Sequence, residues 1–363
     1  MDLEETEVTK LSEAKNDRSI FLYGKPFFTY MFLLVQLIFF LLMEASGGSE
    51  NTATLIKFGA KINPLIIDGE WWRFILPLFI HIGFLHLVMN SMALFYLGPL
   101  VERIFGSIRF LFIYLFAGFA GSLASFVFSP HLSAGASGAI FGLFGSLLYF
   151  GIIYPKLFFR TMGMNILVVI GLNLAFGFAM PNIDNAGHLG GLIGGFLATG
   201  IVHFPKKRKS LLQLLFLFVT SLVVTGLLYW GYGESTRMAD VESSLVLAQT
   251  YVEEEEIDKA YKVLRNAEEH GESSDEFLFM LSYIELKKGL VEDAQKHLQQ
   301  VIKLNPNFHE AYYNLALINL ANENYNEAKK LAESALELEP DRKEYQDIVN
   351  KVNKKLSRKT TGQ

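Results

Sequence analysis

Two glycine beds in this chain each hold one residue able to do chemistry. Ser137 sits in Gly135-Ala136-Ser137-Gly138-Ala139-Ile140-Phe141-Gly142, inside residues 110–155, the longest uncharged run. A hydroxyl there has little water to satisfy it and little bulk around it. Either it lets helices approach closely, or it is a nucleophile held where water is scarce. His188 lies in the second bed, Asn185-Ala186-Gly187-His188-Leu189-Gly190-Gly191. If both beds are helices in contact, His188 reaches Ser137, and a nucleophile needs its base within about 2.6–3.2 Å. A third cluster is His81, His86 and Asn90. On a helix turning about 100° per residue, His86 and Asn90 share a face and His81 lies about 140° from His86. That spacing is poor for a two-histidine metal site on one helix. It suits two polar groups aimed at one interior point, or hydrogen bonds between helices.

The elements that must position these groups are membrane helices. The chain has 363 residues, is 51% hydrophobic, and has a mean hydropathy of +0.28, too apolar for an ordinary soluble enzyme. Charge-free apolar runs recur, and a span needs roughly 20 mostly apolar residues. Seven spans are expected, near 27–44, 77–98, 110–128, 137–154, 164–180, 186–204 and 211–232. Their runs are apolar all round, without the amphipathic period of a soluble core. With the N-terminus inside, the inner segments hold twelve Lys and Arg, including Lys206, Lys207, Arg208 and Lys209. The outer loops before the seventh span hold Lys57, Lys61 and Arg73. That bias sets a cytoplasmic N-terminus, and seven spans then leave the C-terminal part outside. Ionisable groups within spans cost roughly 2.5–3.5 kcal/mol at a helix centre, so they point to function. In the outer loop, Trp71-Trp72-Arg73 is either an interface anchor or part of a structured loop beside a site.

The chain divides near residue 240. Residues 1–242 carry 16 Lys and Arg against 15 Asp and Glu, whereas residues 243–363 carry 16 against 22. The absence of a basic domain or stripe argues against nucleic acid. With no cysteine, disulfides, thiolate metal sites and cysteine nucleophiles are excluded. Beyond 240, Ala260, Ala294 and Ala328 recur every 34 residues, as do Leu247, Leu281 and Leu315, and Pro306 and Pro340 close successive units. This resembles tetratricopeptide repeats, helix-turn-helix units of that period. The first unit has Ser274 where the proline would fall, and Glu253–Glu256 reads most simply as a solvated turn between helices, with an acidic ligand patch as the sharper alternative.

Together the three polar segments resemble the rhomboid family of intramembrane serine proteases. The resemblance covers residues 27–204: an HxxxxHxxxN motif (His81, His86, Asn90), GxSG opening the fourth span (Gly135, Ser137, Gly138), and His-x-Gly-Gly in the sixth (His188, Gly190, Gly191). Trp72 and Arg73 in the first outer loop fit, as do Gly98, Glu102 and Gly106. Gly187 stands where the family often has Ala. Phe141 replaces the Tyr that stacks on the base.

The resemblance implies that Ser137 attacks the scissile carbonyl and His188 carries the proton. The oxyanion would be held by the Ser137 backbone N–H and by the His86 and Asn90 side chains. His81, Gly135, Gly138, Phe141, Trp72 and Arg73 would support the site. Asp184 lies at the outer boundary, so a dyad is expected rather than a triad, with no cofactor and no metal. The implied partners are transmembrane protein substrates cut near the outer face, the lipid bilayer, and a protein or peptide ligand of the repeats. The short fifth span would be the lateral gate. A non-catalytic scaffold binding membrane clients, and a transporter or metal carrier using the histidines, are the competing classes. The expected fold is therefore all-α: a polytopic membrane helix bundle, with a six-span core and a seventh span, followed by a soluble α-solenoid. Its expected divisions are a cytoplasmic arm at 1–26, the core at 27–204, a basic linker and seventh span at 205–240, repeats at 241–356 and a tail at 357–363. It would sit in the cell membrane as a multi-pass protein with extracytoplasmic repeats.

Overall fold

A computed structural model describes residues 23, 25–180, 183–205, 211–233, 241–269, 271 and 273–361. Most of the 1–26 arm and the Lys206–Lys209 cluster lie outside them. The chain forms two compact units, Met1–Met238 and Ala239–Gln363.

In the first unit α1 runs Phe27–Ala45. The leading N–H groups of a helix have no intrahelical acceptor, and hydrocarbon offers none. Glu102, fully buried, meets that need by accepting from Phe28 N at 3.0 Å and Thr29 N at 2.9 Å. The loop that follows is built, not loose. It contains α2, Thr52–Phe58, α3, Asn63–Ile67, and two 3-10 turns at Trp71–Phe74 and Leu76–Phe79. Arg73, buried, ties it together by donating to Ile56 O and Ala60 O and pairing with Glu70 at 2.6 Å. Trp71 and Trp72 remain exposed.

Among the described residues the unit continues with α4, Gly83–Phe105; α5, Ser107–Phe128; α6, Ser137–Ile153; α7, Pro155–Thr161; α8, Gly163–Ala179; and α9, Asn185–Val202. Outside them lies α10, Leu211–Gly233. α1, α4, α5 and α10 are each long and apolar enough to cross a membrane, and the bent pair α7 and α8 is a fifth candidate. The second expected span needs correction. Its helix begins at Gly83, not 77, because the Pro77 segment is spent on a 3-10 turn, and it continues to Phe105. α5 starts after a single residue, Gly106 at φ +84°, rather than at 110.

α6 is central: twelve of its 17 residues are buried, against Thr220 and Gly231 alone in the 23-residue α10. α6 and α9 meet backbone to backbone. A Cβ on Gly191 would stand 2.0 Å from Gly138 O, and one on Gly195 2.0 Å from Gly142 O. Only glycine permits that approach, which suits a lipid setting where helices associate by close packing rather than by hydrophobic force.

The second unit is a run of paired helices: α11, Val241–Glu253; α12, Ile257–Glu269; α13, Asp275–Lys288; α14, Val291–Leu304; α15, His309–Ala321; α16, Tyr325–Leu338; and α17, Lys343–Thr361. Ala260, Ala294 and Ala328 are fully buried between the helices of their pairs. Ser274, found where a proline was expected, caps α13 by accepting from Phe277 N. The terminal helix continues through Thr361 instead of giving way to a tail at 357.

Candidate active site

Ser137 is the first residue of α6, where the first-turn N–H groups lack intrahelical acceptors and the positive end of the helix dipole lies. His188 is one turn into α9. Ser137 Oγ and His188 Nε2 are 2.9 Å apart. The Phe141 ring, one turn below Ser137, stacks on the imidazole at 4.3 Å and 11°. The ring is thus fixed on one face by an aromatic and at one nitrogen by the hydroxyl. Its other nitrogen, Nδ1, is buried and meets no acceptor among the described residues. Asp184 is occupied elsewhere, capping α9 by accepting from Gly187 N at 2.8 Å. Among the described residues no carboxylate hydrogen-bonds the imidazole.

Gly135 has φ +131°, and the space where its Cβ would be is taken. An added Cβ would lie 2.6 Å from His86 Cε1, 2.8 Å from His86 Nε2 and 3.6 Å from Asn90 Nδ2. His86 and Asn90 therefore converge on the segment entering Ser137, as their shared helix face implied. Asn90 Nδ2 also donates to His86 O at 3.2 Å. His81 departs from the helical placement expected of it: it precedes α4 in a non-helical stretch, so no helical angle relates it to His86. From there its Nε2 accepts from Ala136 N at 3.4 Å, and its ring meets that of His86 edge to face at 5.3 Å.

A cavity of about 20 Å³ adjoins the pair, lined by Ser122, Gly135, Ser137, Asp184, Gly187 and His188 among others. That is room for about one water. Gly138 faces Gly187 O, so its lack of a side chain serves the contact between α6 and α9. Trp72 and Arg73 do not enter this cavity; Arg73 organises the loop between α1 and α4. Among the described residues no three His, Cys, Asp or Glu side chains gather as a metal-ligand set.

Residues 68–205 match the family model for the rhomboid domain. YdcA of Bacillus subtilis, named for the rhomboid proteases, is 38% identical over 146 residues, 40% of this chain and 73% of its own length. The chain belongs to the rhomboid family. Rhomboid protease GluP, also of Bacillus subtilis, is 44% identical over 307 residues and 84% of this chain. The match spans 60% of GluP's length. Residues 285–352 match the tetratricopeptide repeat model. Among solved structures, the first tetratricopeptide domain of Spaghetti (RPAP3), bound to an HSP90 peptide, is 21% identical, covers 32% of this chain and 96% of its own, and has a TM-score of 0.31.

Sequence reasoning missed one contributor to this rhomboid site. Lys61 counted only as an outer-loop charge, yet its side chain is fully buried. Its Nζ donates to Ser129 O and His131 O, and its backbone exchanges two hydrogen bonds with Ser133 at 2.9 and 3.0 Å. It holds the segment that delivers Gly135 and Ser137. A lysine in a polar loop carries no periodic signal, so nothing in the sequence singled it out.

Proposed function

We propose that this rhomboid is an intramembrane serine endopeptidase that cuts transmembrane-helix-containing substrates near the outer membrane face. The observation carrying this reading is the 2.9 Å contact between Ser137 Oγ and His188 Nε2, with Phe141 stacked on the imidazole. Ser137 Oγ attacks the scissile carbonyl carbon as its proton passes to His188 Nε2. The carbonyl oxygen becomes an oxyanion at the start of α6, where the Ser137 N–H, the His86 ring and the Asn90 amide are the donors. His188 returns the proton to the departing amine, which leaves an acyl-Ser137. Water entering the small cavity gives a proton to His188 and hydrolyses that ester, regenerating the pair. Such pairs act as a unit, so Ser137→Ala or His188→Ala removes cleavage by roughly ten-thousandfold or more. The test uses the full chain in liposomes with a model transmembrane substrate. Persistent cleavage by Ser137→Ala overturns the reading. A fluorophosphonate that labels wild type but not Ser137→Ala separates an enzyme from a non-catalytic scaffold.

The charge bias of the loops supports a multi-pass cell-membrane protein with a cytoplasmic N-terminus and extracytoplasmic repeats. Only Gly163, Ile166, Ile170 and Gly177 of α8 are buried, which suits a lateral gate that must part from its neighbours to admit a substrate helix. The repeats recruit a protein or peptide partner. The cysteine-free chain makes the topology testable: a single Glu254→Cys should react with an impermeant maleimide from outside intact cells. Protection from it there would reverse the assigned orientation.

A further inference from the structure

The α6–α9 seam has an unusual mechanical property. Where Gly138 and Gly142 face Gly191 and Gly195, backbone lies on backbone. Ordinary helix pairs are held in register by side chains of one helix seated between those of the other. Glycine removes those teeth, so little at the centre of the seam opposes sliding or rotation of α9 on α6. At the outer end the register is marked by the Ser137–His188 bond and the Phe141 stack. Those are the reacting groups, and His188 must exchange partners during the reaction. A permanent pin has to lie elsewhere.

The inner end holds one. Tyr149 lies three turns along α6 from Ser137, about 18 Å away at 1.5 Å per residue. It is 2% exposed, and its hydroxyl is 2.9 Å from Nδ1 of His203, the residue that ends α9. The phenol ring is clamped edge-on by Phe196 of α9 at 5.6 Å and Phe216 of α10 at 5.7 Å. His203 itself has φ +50°, and no other non-glycine residue among those described in the membrane unit has a positive φ. A side chain keeps such a conformation only where its surroundings impose it. Glycine would suit that backbone; a histidine there holds its ring on Tyr149. We propose that Tyr149 and His203 are positioning residues, pinning the inner ends of α6 and α9 so that the glycine seam delivers His188 to Ser137 in reacting register. This inference rests on the Ser137–His188 reading above.

The test reconstitutes the full chain in liposomes. Tyr149→Phe should lower kcat and the rate of fluorophosphonate labelling at Ser137 together, by about tenfold, the scale on which small misplacements act. KM and the thermal unfolding midpoint should stay near wild type. His203→Gly relieves the backbone but loses the bond, so it should show the same loss. His203→Asn, whose Oδ1 sits where Nδ1 did, should recover most of the rate, and the double variant should be no slower than either single one. Wild-type kcat in Tyr149→Phe, additive losses, or a wild-type rate in His203→Gly overturns the pin. A readout independent of catalysis keeps the two readings apart. Spin labels at Ile152→Cys and Ile193→Cys, both exposed positions, report the α6–α9 distance. Its distribution should broaden in Tyr149→Phe, and an unchanged distribution overturns the pin even if the wild type cleaves. Broadening in Tyr149→Phe, where the wild type neither cleaves nor labels, sinks the enzymatic reading and leaves the pin standing.

Discussion

The seam between α6 and α9 and the seams of the repeat domain solve the same problem in opposite solvents. In the membrane unit the contact is made by glycines, and a single added methyl group would stand 2.0 Å from a carbonyl oxygen. Lipid tails are as apolar as leucine, so burying leucine between helices gains little there, and close backbone approach does the holding. In the repeats the corresponding positions are alanine and leucine: Ala260, Ala294, Leu281 and Leu298 are all fully buried. Water drives those faces together. The polar groups differ in the same sense. The membrane seam keeps one serine–histidine contact, with no carboxylate on the imidazole among the described residues. The repeat domain buries His297 between two carboxylates, Glu285 at 2.7 Å and Glu268 at 2.8 Å, joining α14 to α13 and α12. One histidine bonds a single hydroxyl, and the other is tied at both ring nitrogens.

The largest effect should come from putting a side chain into the glycine seam. Gly191→Val forces α9 off α6, separates Ser137 from His188, and should reduce liposome cleavage by about a hundredfold or more. Breaking the repeat tie comes next. His297→Ala leaves Glu285, fully buried, without its partner, and should cost the repeat domain about 3 kcal/mol, read by pulse proteolysis of the full chain. Overfilling an alanine seam is milder: Ala294→Leu should cost about 1–3 kcal/mol in the same assay. If Ala294→Leu proved as damaging to its seam as Gly191→Val, the contrast between the two seams would fail. Phe141→Ala removes the stack on His188, worth about 0.5–1.5 kcal/mol, and should slow cleavage a few-fold. Phe141→Tyr keeps the ring and should stay near wild type.

The smallest effect is a pH dependence of repeat stability. His297 titrates above its ordinary 6.5, chiefly because it hydrogen-bonds Glu285, with Glu285 and Glu268 charges adding to the effect against the cost of burial. A raised folded pKa means the stabilisation is fully present below the unfolded value. It fades as pH rises through the folded value. Urea unfolding of the repeats should therefore show a loss of stability from pH 6 to pH 9, and His297→Gln should flatten that slope. A slope unchanged in His297→Gln would detach the effect from this tie.

How much of this was legible depended on whether the signal was periodic. The apolar runs, the 34-residue alanine spacing and the shared face of His86 and Asn90 are repeating or compositional features, and the helices follow them. The start of α4 was misjudged because hydropathy does not distinguish a 3-10 turn at Leu76–Phe79 from helix, and His81 moved off the helix as a result. Ser274 reads in the sequence as a departure from the repeat's proline, although a serine followed by Asp275 and Glu276 is a helix-start signal and it caps α13.

The sequence by itself determined the membrane helices, the repeat array, and the two polar groups, His86 and Asn90, that share one helix face. Those follow from what lipid and water each tolerate, residue by residue. Only the tertiary structure decided that Ser137 and His188 meet at 2.9 Å, that Asp184 is spent on a cap, that Lys61 latches the loop feeding the serine, and that Tyr149 reaches His203 at the far end of the seam. Apart from the Asp184 cap, which spans three residues, these contacts join residues 51 to 70 positions apart, and distances of that kind are set by packing, which no local pattern encodes.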